Sequence, residues 1–235
     1  MNNQEFIKEL EKININLNNQ QKEMLEIYYK YLIEYNLHTN VTSIIDKDAV
    51  YLKHFYDSLL LSTTIDFNKI DNMLDIGCGA GFPGLVLKIA FPKIKLTLLD
   101  SNNKKTTFCK NLIEKLNLEN INVINKRAEE YIKEKRECFD LVTARAVKDL
   151  TILNELAIPF VKKDGLFIAM KSNYKTELNN SLNGINILGA KYVETKNINL
   201  PNNSGIRNFI IIKKIENTNQ KYPRQYNQIL KQPLK

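Results

Sequence analysis

The residues best suited to chemistry run Asp75-Ile76-Gly77-Cys78-Gly79-Ala80-Gly81-Phe82-Pro83-Gly84, an acid followed by alternating glycines. A second acid, Asp100, closes the next apolar run, Leu98-Leu99. Glycine lets a backbone turn tightly and approach a ligand with no Cβ in the way. Pro83 suits a first helical turn. Two cofactor chemistries compete for such a loop. Gly79-Ala80-Gly81-Phe82-Pro83-Gly84 matches GxGxxG, the dinucleotide fingerprint, in which a diphosphate rests on the helix N-terminus. Here a carboxylate, Asp75, closes the preceding strand, and a carboxylate beside a diphosphate is repulsive. S-adenosylmethionine (SAM) has no phosphate and carries an ammonium and a sulfonium, so an acid is favourable there. Asp100 can accept both hydroxyls of a ribose. NAD and SAM share that ribose, so Asp100 supports the fold without choosing the cofactor. The acid and glycine spacing fits SAM better. NAD is the competing reading, and a tight turn holding no ligand is the plain structural one.

Other candidates are fewer. His54, Asp57 and Ser58 have the types of a hydrolytic triad but fall within about one helical turn, where neighbours lie side by side. The line from nucleophile to base to orienter is hard to build there. A hydrogen bond from this helix to a neighbouring loop, through Asn40, is the better reading. Arg145 follows the fourth apolar run and could stack on a base or hold a phosphate, or be a solvated charge. Lys171, at the end of the fifth, could face a phosphate. Lys104 and Lys105 read as a solvated helix start. Cys78, Cys109 and Cys138 are odd in number and form no CxxC pair, so neither a zinc site nor a disulfide framework is expected. With only His38 and His54 besides, no metal is expected, and a reducing cytosol fits.

These residues need a frame. From about Asn72 strand-like runs (Met73–Ile76, Lys95–Leu99, Ile121–Ile124, Leu141–Thr143, Leu166–Met170) alternate with amphipathic ones (Pro83–Phe91, Asn103–Leu118, Ala128–Lys133, Leu150–Val161). This rhythm predicts an α/β fold with a mostly parallel sheet covered on both faces. A weaker helix, Tyr174–Leu188, precedes two runs, Lys191–Ile198 and Ile206–Ile212, joined by the turn-rich LPNNSG. They predict an antiparallel hairpin at the sheet edge. Five parallel strands plus a terminal hairpin make seven, the layout of the class I SAM-dependent methyltransferase, Rossmann-like sheet. Residues 1–66 read as an N-terminal helical extension, 67–214 as the core and 215–235 as a basic tail. In the extension Ile27, Tyr28, Tyr31, Leu32 and Tyr35 make one apolar face. A third helix, about Asp46 to Thr63, puts Val50, His54, Ser58 and Leu61 on one side.

The composition, 43% apolar and 26% charged over 235 residues, is that of a chain with a real core. No apolar run approaches the roughly 20 residues of a membrane span, and the opening MNNQEFIKEL has no apolar segment of a secretory signal. A cytoplasmic protein with no membrane partner, working as a monomer, is expected. The net charge is +8, and from Lys213 onward six basic residues stand against Glu216 alone. Such a tail attracts a phosphate backbone or is merely solvated.

The segments HFYDSLLL (His54–Leu61), LDIGCGAGFPGLVLKIAFP (Leu74–Pro92), LLDSNNKKTTF (Leu98–Phe108), RAEEY (Arg127–Tyr131), FDLVTARAV (Phe139–Val147) and KYPRQYNQILKQPL (Lys221–Leu234) occur in one order over nearly the whole chain. In this the chain resembles the ribosomal RNA small subunit methyltransferase G (GidB) family. The resemblance implies methylation of N7 of a guanine in bacterial 16S rRNA, in the decoding region of the small ribosomal subunit. It implies that Gly77 and Phe82 line the methionine and sulfonium end of SAM, that Ala128 and Glu129 border the adenine, and that Arg145 lies between cofactor and target. Asp75, Gly79 and Asp100 complete the expected cofactor set; Arg145, Lys171 and Arg224 are the expected RNA contacts.

The chemistry agrees. Guanine N7 has an in-plane lone pair and no proton, so its methylation needs no general base, and no catalytic acid or base is expected. Methylation of an exocyclic amine usually involves an [Asp/Asn]-Pro-Pro-[Tyr/Phe] loop after the fourth strand, where this chain reads Thr143-Ala144-Arg145-Ala146. Pyrimidine C5 methylation needs a nucleophilic cysteine, and Cys109 and Cys138 fall in an ordinary helix and loop. An NAD-dependent oxidoreductase and a non-catalytic RNA-binding assembly factor are the alternatives.

Overall fold

A computed structural model describes residues 1–235. The first two helices each open on an asparagine. In α1 (Asn3–Lys12) the Asn2 side chain accepts from the N–H groups of Gln4 and Glu5, and Glu5 returns a bond to the Asn2 N–H. Such a capping box satisfies donors that a helix start otherwise leaves bare. Asn18 and Gln21 do the same for α2 (Asn19–Asn36). The Gln21 amide also donates to the carbonyls of Ile89 and Ala90, at 2.7 and 3.2 Å, which ties α2 to the core.

The third helix is not uniform. It starts as α3 (Lys47–Val50), widens into a π turn over Tyr51–Tyr56, resumes as α4 (Asp57–Leu59) and ends in a 3-10 turn, Leu60–Thr63. A π turn shifts the phase of the side chains and often marks a functional site. This one carries Lys53 and His54. Val50, His54, Ser58 and Leu61 all turn inward, as the periodicity predicts.

Strands and helices then alternate: β1 (Asn72–Ile76), α5 (Gly84–Ala90), β2 (Lys95–Leu99), α6 (Asn103–Lys115), β3 (Ile121–Ile124), α7 (Ala128–Tyr131), β4 (Phe139–Arg145), α8 (Leu150–Ala157), β5 (Val161–Lys171), α9 (Lys175–Ile187), β6 (Ala190–Asn199), β7 (Ile206–Lys214) and α10 (Tyr226–Lys231). The seven strands form one sheet in the order β3-β2-β1-β4-β5-β7-β6. The first five are parallel, and β7 pairs antiparallel with both β5 and β6. The terminal hairpin therefore closes one edge, as expected.

Boundaries differ where polarity hides a strand. β5 starts at Val161 rather than Leu166, because Val161 pairs with Phe139 before the register shifts. Its first residues, Lys162-Lys163-Asp164, are exposed and look like a loop in sequence. α8 stops at Ala157 rather than Val161, since Pro159 removes a helical donor.

Two apolar cores flank the sheet. Phe6, Leu25, Phe55, Leu85, Leu96 and Phe108 belong to one, so residues 1–66 share their core with one face of the sheet. Leu74, Val142, Leu153, Phe160, Ile210 and the tail residues Tyr222 and Ile229 belong to the other. The chain climbs from β1 to β2 and β3 on one side, then returns to β4 and β5 on the other. In parallel sheets ligands bind beyond the carboxyl ends of the strands where the order reverses, here between β1 and β4. The register aligns Ile76 with Leu99 and with Ala144, so the loops after β1, β2 and β4 emerge side by side.

Candidate active site

Gly77 and Gly79 have φ of +66° and +58°, the left-handed region that side chains disfavour. A Cβ on Gly77 would lie 2.8 Å from Val147 Cγ2, so that position has no room for one. A Cβ on Gly79 would meet only the Gly77 carbonyl, at 4.0 Å. The backbone at Gly79 thus presents an open face. Its N–H donates to Asp100 Oδ2 at 3.0 Å, and the Asn102 N–H donates to Oδ1 at 2.9 Å. Asp100 therefore latches the glycine loop to the end of β2, and each oxygen keeps a lone pair for a hydroxyl. Gly77, Asp100, Ala128, Glu129, Val147 and Tyr226 lie around a cavity of about 270 Å³. An open backbone face, a carboxylate with spare lone pairs and an apolar flank suit an adenosyl group that carries no phosphate.

Asp75 does not face this cavity. It is fully buried beneath the loop, where Oδ2 accepts the Gly84 N–H at 2.9 Å and Oδ1 has no partner. Burial pushes its carboxyl up to about 7 despite the Gly84 bond. The expectation that Asp75 meets a cofactor cation directly is corrected: its side chain is spent on the first turn of α5. That placement still discriminates between cofactors. A diphosphate would need the N–H groups of this helix N-terminus, and the Asp75 side chain already takes that of Gly84.

Phe82 is also packed inward. Its ring lies between Tyr28 (centroids 5.2 Å apart, planes at 2°) and His54 (4.3 Å, 20°). Arg145 Cζ sits 5.2 Å from the same ring, and the Tyr28 hydroxyl donates to the Ala80 carbonyl. The loop is thereby clamped between α2 and the π turn.

Arg145 is held on several sides. Nη1 donates to Asp57 Oδ2 at 3.0 Å and to the Lys53 carbonyl at 3.1 Å, and Nη2 lies 3.2 Å from His54 Nδ1. His54 Nδ1 also lies 3.1 Å from the Lys53 carbonyl. His54 Nε2 is hydrogen-bonded with the Thr42 hydroxyl, at 3.0 Å. Burial, and next the Arg145 charge, hold the His54 pKa down at about 3, so the ring is neutral. Arg207 Nε donates to Asp57 Oδ1 at 2.6 Å. Asp57 thus bridges two arginines that are distant in sequence. Ser58 Oγ donates to the His54 carbonyl at 2.6 Å, so the three residues form no triad. The expected bond from this helix to the neighbouring loop exists, but it reaches Thr42 rather than Asn40.

Lys53, His54, Arg145, Lys171 and Arg207 line a second cavity of about 510 Å³. It shares Ala146, at φ +54°, with the first. Lys171 is paired with Glu177 at 2.7 Å. Arg224 lies elsewhere. Its Nε and Nη2 donate to the two oxygens of the fully buried Glu155, at 2.9 and 2.6 Å, and its backbone N–H donates to the same group at 2.8 Å. The expectation of a phosphate contact at Arg224 is corrected to an internal ion pair, because Glu155 cannot stay charged in that core without it. Sequence reasoning missed Arg207 and Tyr226. A lone arginine opening the apolar run IRNFIII is a signal that could have flagged Arg207. Tyr226 offered none beyond an aromatic ring in a basic segment. No helix is long and apolar enough to cross a membrane, and no three His, Cys, Asp or Glu side chains gather as a metal site.

The family model for rRNA small subunit methyltransferase G (GidB) matches residues 21–208. Ribosomal RNA small subunit methyltransferase G of Bacillus subtilis is 44% identical, over 100% of this chain and 99% of that protein. The protein of that name from Staphylococcus epidermidis is 48% identical, over 94% of this chain and 93% of its own length. Among solved structures, a SAM-dependent O-methyltransferase from Thermotoga maritima is similar with a TM-score of 0.54 at 15% identity, over 80% of this chain and 73% of that one. M. jannaschii TYW2 in complex with AdoMet gives 0.51 at 16% identity, over 63% of this chain and 70% of that one. These two likenesses show the fold, that of class I methyltransferases. With full-length relatives and a matching model that runs from α2 to β7, the chain belongs to the rRNA small subunit methyltransferase G family.

Proposed function

We propose that this chain transfers a methyl group from SAM to N7 of a guanine in 16S rRNA, in the decoding region of the small ribosomal subunit. The observation that carries the reading is that two cavities of different character meet at Ala146. One suits an adenosyl cofactor, with Asp100 for the ribose hydroxyls and Ala128 and Glu129 beside the adenine. The other is rich in cations, with Lys53, Arg145 and Arg207 placed to hold a nucleotide and its phosphate. SAM, when bound, supplies an electrophilic methyl on a positively charged sulfur.

The protein's task is then to orient. N7 has no proton to lose, and the bases lining the acceptor cavity are already engaged: His54 Nδ1 faces Arg145, both Asp57 oxygens hold guanidinium groups, and Glu177 holds Lys171 and the Leu150 N–H. Fixed geometry can contribute roughly 7–11 kcal/mol to such a reaction. Arg145, pinned by Asp57, His54, Lys53 and the Phe82 ring, is rigid enough to contribute to it. The Asp75 side chain, on β1 and bonded to the first N–H of α5, argues against the NAD-dependent alternative. The enzyme's partner is 16S rRNA in the small subunit, its place the cytoplasm, and it acts as a monomer.

Labelled SAM should pass its methyl to small subunits from cells lacking this protein, and digestion should return the label as 7-methylguanosine. Subunits that take up no label, while an unrelated methyltransferase control works, refute the proposal. RNA binding without SAM binding would point instead to a non-catalytic assembly role.

A further inference from the structure

We infer that Tyr226 forms the adenine-side wall of the cofactor cavity, and that residues 215–235 are a strap that delivers its ring there. The inference rests on the SAM reading above. From its charges this segment looks like a tail in search of phosphate. The structure gives it a different task. Thr218 N–H donates to Glu137 Oε1 and its hydroxyl to the Leu188 carbonyl, each at 2.6 Å. Arg136 donates to the Tyr222 carbonyl. Arg224 neutralises Glu155 on α8. Tyr222 and Ile229 are buried in the second core. Farther on, Leu234 sits so close to α9 that a Cβ on Gly184 would meet it at 2.8 Å, and Asn183 donates to the Lys235 carbonyl at 2.8 Å.

Tyr226 lies between these anchors and is half-buried. Arg127 Cζ sits 5.1 Å from its ring, within cation–π reach. Tyr226 lines the cavity together with Ala128, Glu129 and Leu156. The cavity runs from Gly77 after β1, past Asp100 after β2, to Ala128 after β3. With the ribose on Asp100, the nucleobase falls at the β3 end. There a flat ring, a leucine and an alanine offer the apolar surface that a purine face needs. The strap is therefore part of the binding site, and its one arginine, Arg224, serves to dock it.

Calorimetry on the full-length chain tests this. Tyr226→Ala should weaken both SAM and S-adenosylhomocysteine by about 5- to 150-fold, the range for losing a base–aromatic stack. Tyr226→Phe, which keeps the ring, should bind like the parent. In turnover with small subunits, KM for SAM should rise in Tyr226→Ala while KM for the subunit stays put, a split that general loosening would not produce. The chain contains no tryptophan, so Tyr226→Trp places a single indole on the wall. Its emission should change when S-adenosylhomocysteine saturates the site. Equal affinity in the parent and Tyr226→Ala, or an indole indifferent to saturating S-adenosylhomocysteine, overturns the inference and leaves the methyltransferase reading standing. A parent chain that binds neither ligand overturns both.

Discussion

Replacing Asp57 with alanine should both destabilise the fold and slow methyl transfer. Asp57 is 1% exposed and holds Arg145 at 3.0 Å and Arg207 at 2.6 Å. Its removal leaves two guanidinium groups facing each other with nothing between them. Breaking a fully buried ion pair costs about 3–5 kcal/mol. The two arginine side chains keep 16% and 23% exposure, so water can recover part of their solvation. That places the loss near the lower end, about 3 kcal/mol. With a urea slope of about 1–3 kcal/mol/M, the unfolding midpoint should fall by roughly 1 M or more. Arg207→Ala should cost less, about 1–2 kcal/mol, because Asp57 then keeps Arg145. The double variant should fall short of the sum of the singles, since the second change removes a partner already lost. Turnover should drop at least about tenfold, with KM for SAM changing far less, because the network lines the acceptor cavity and meets the glycine loop only through the Phe82 ring. An Asp57→Ala chain that unfolds within about 0.5 kcal/mol of the parent would show that the two arginines do not depend on this carboxylate.

Three further expectations follow from buried charges and from the loop. His54 and Asp75 act in opposite senses with pH. His54, held neutral down to about 3, stabilises fully above its usual 6.5 and loses that contribution as pH falls. Asp75, held protonated up to about 7, destabilises increasingly as pH rises from its usual 3.8. His54→Gln should therefore leave a chain that weakens between about pH 4 and 7, and Asp75→Asn one that strengthens; equal pH slopes in urea unfolding contradict this. Asp100→Ala should weaken SAM binding by about 10- to 100-fold in calorimetry, with the fold intact by circular dichroism, because both the ribose acceptor and the Gly79 latch are gone. Arg224→Ala should cost about 3–5 kcal/mol by stranding Glu155, whereas exposed Lys221→Ala should change stability by less than about 0.5 kcal/mol; equal effects in thermal unfolding would return Arg224 to the solvent.

The cofactor half of the site is legible in sequence because its parts are local. A glycine loop between a strand and a helix, with an acid closing the next strand, is set by backbone geometry within about 25 residues of chain. The sheet follows from the same short-range periodicity, and its misjudged edges lie where charge, as at Lys162-Lys163-Asp164, or a proline, as at Pro159, masks the pattern. The acceptor half is another matter. Asp57, Arg145 and Arg207 come from a helix, β4 and β7, and only the fold shows that one carboxylate serves two arginines. Arg224 shows the same limit. A count of charges reads the tail as a polyanion trap, and the buried Glu155 that absorbs this arginine lies 69 positions away. Asp75 was recognised by type, but its direction depends on the turn that follows it.

The pile of rings formed by Tyr28, Phe82 and His54 has a consequence for how this sequence can vary. The three come from α2, the glycine loop and the π turn, and each ring covers a face of its neighbour. A larger or smaller group in the middle would leave both outer rings misfitted, and a change at one end would shift the loop and with it Gly79 and Arg145. Substitutions at positions 28, 54 and 82 are thus not independent events. Across relatives they should appear as matched sets, and a single exchange tolerated in one background should fail when transplanted into another.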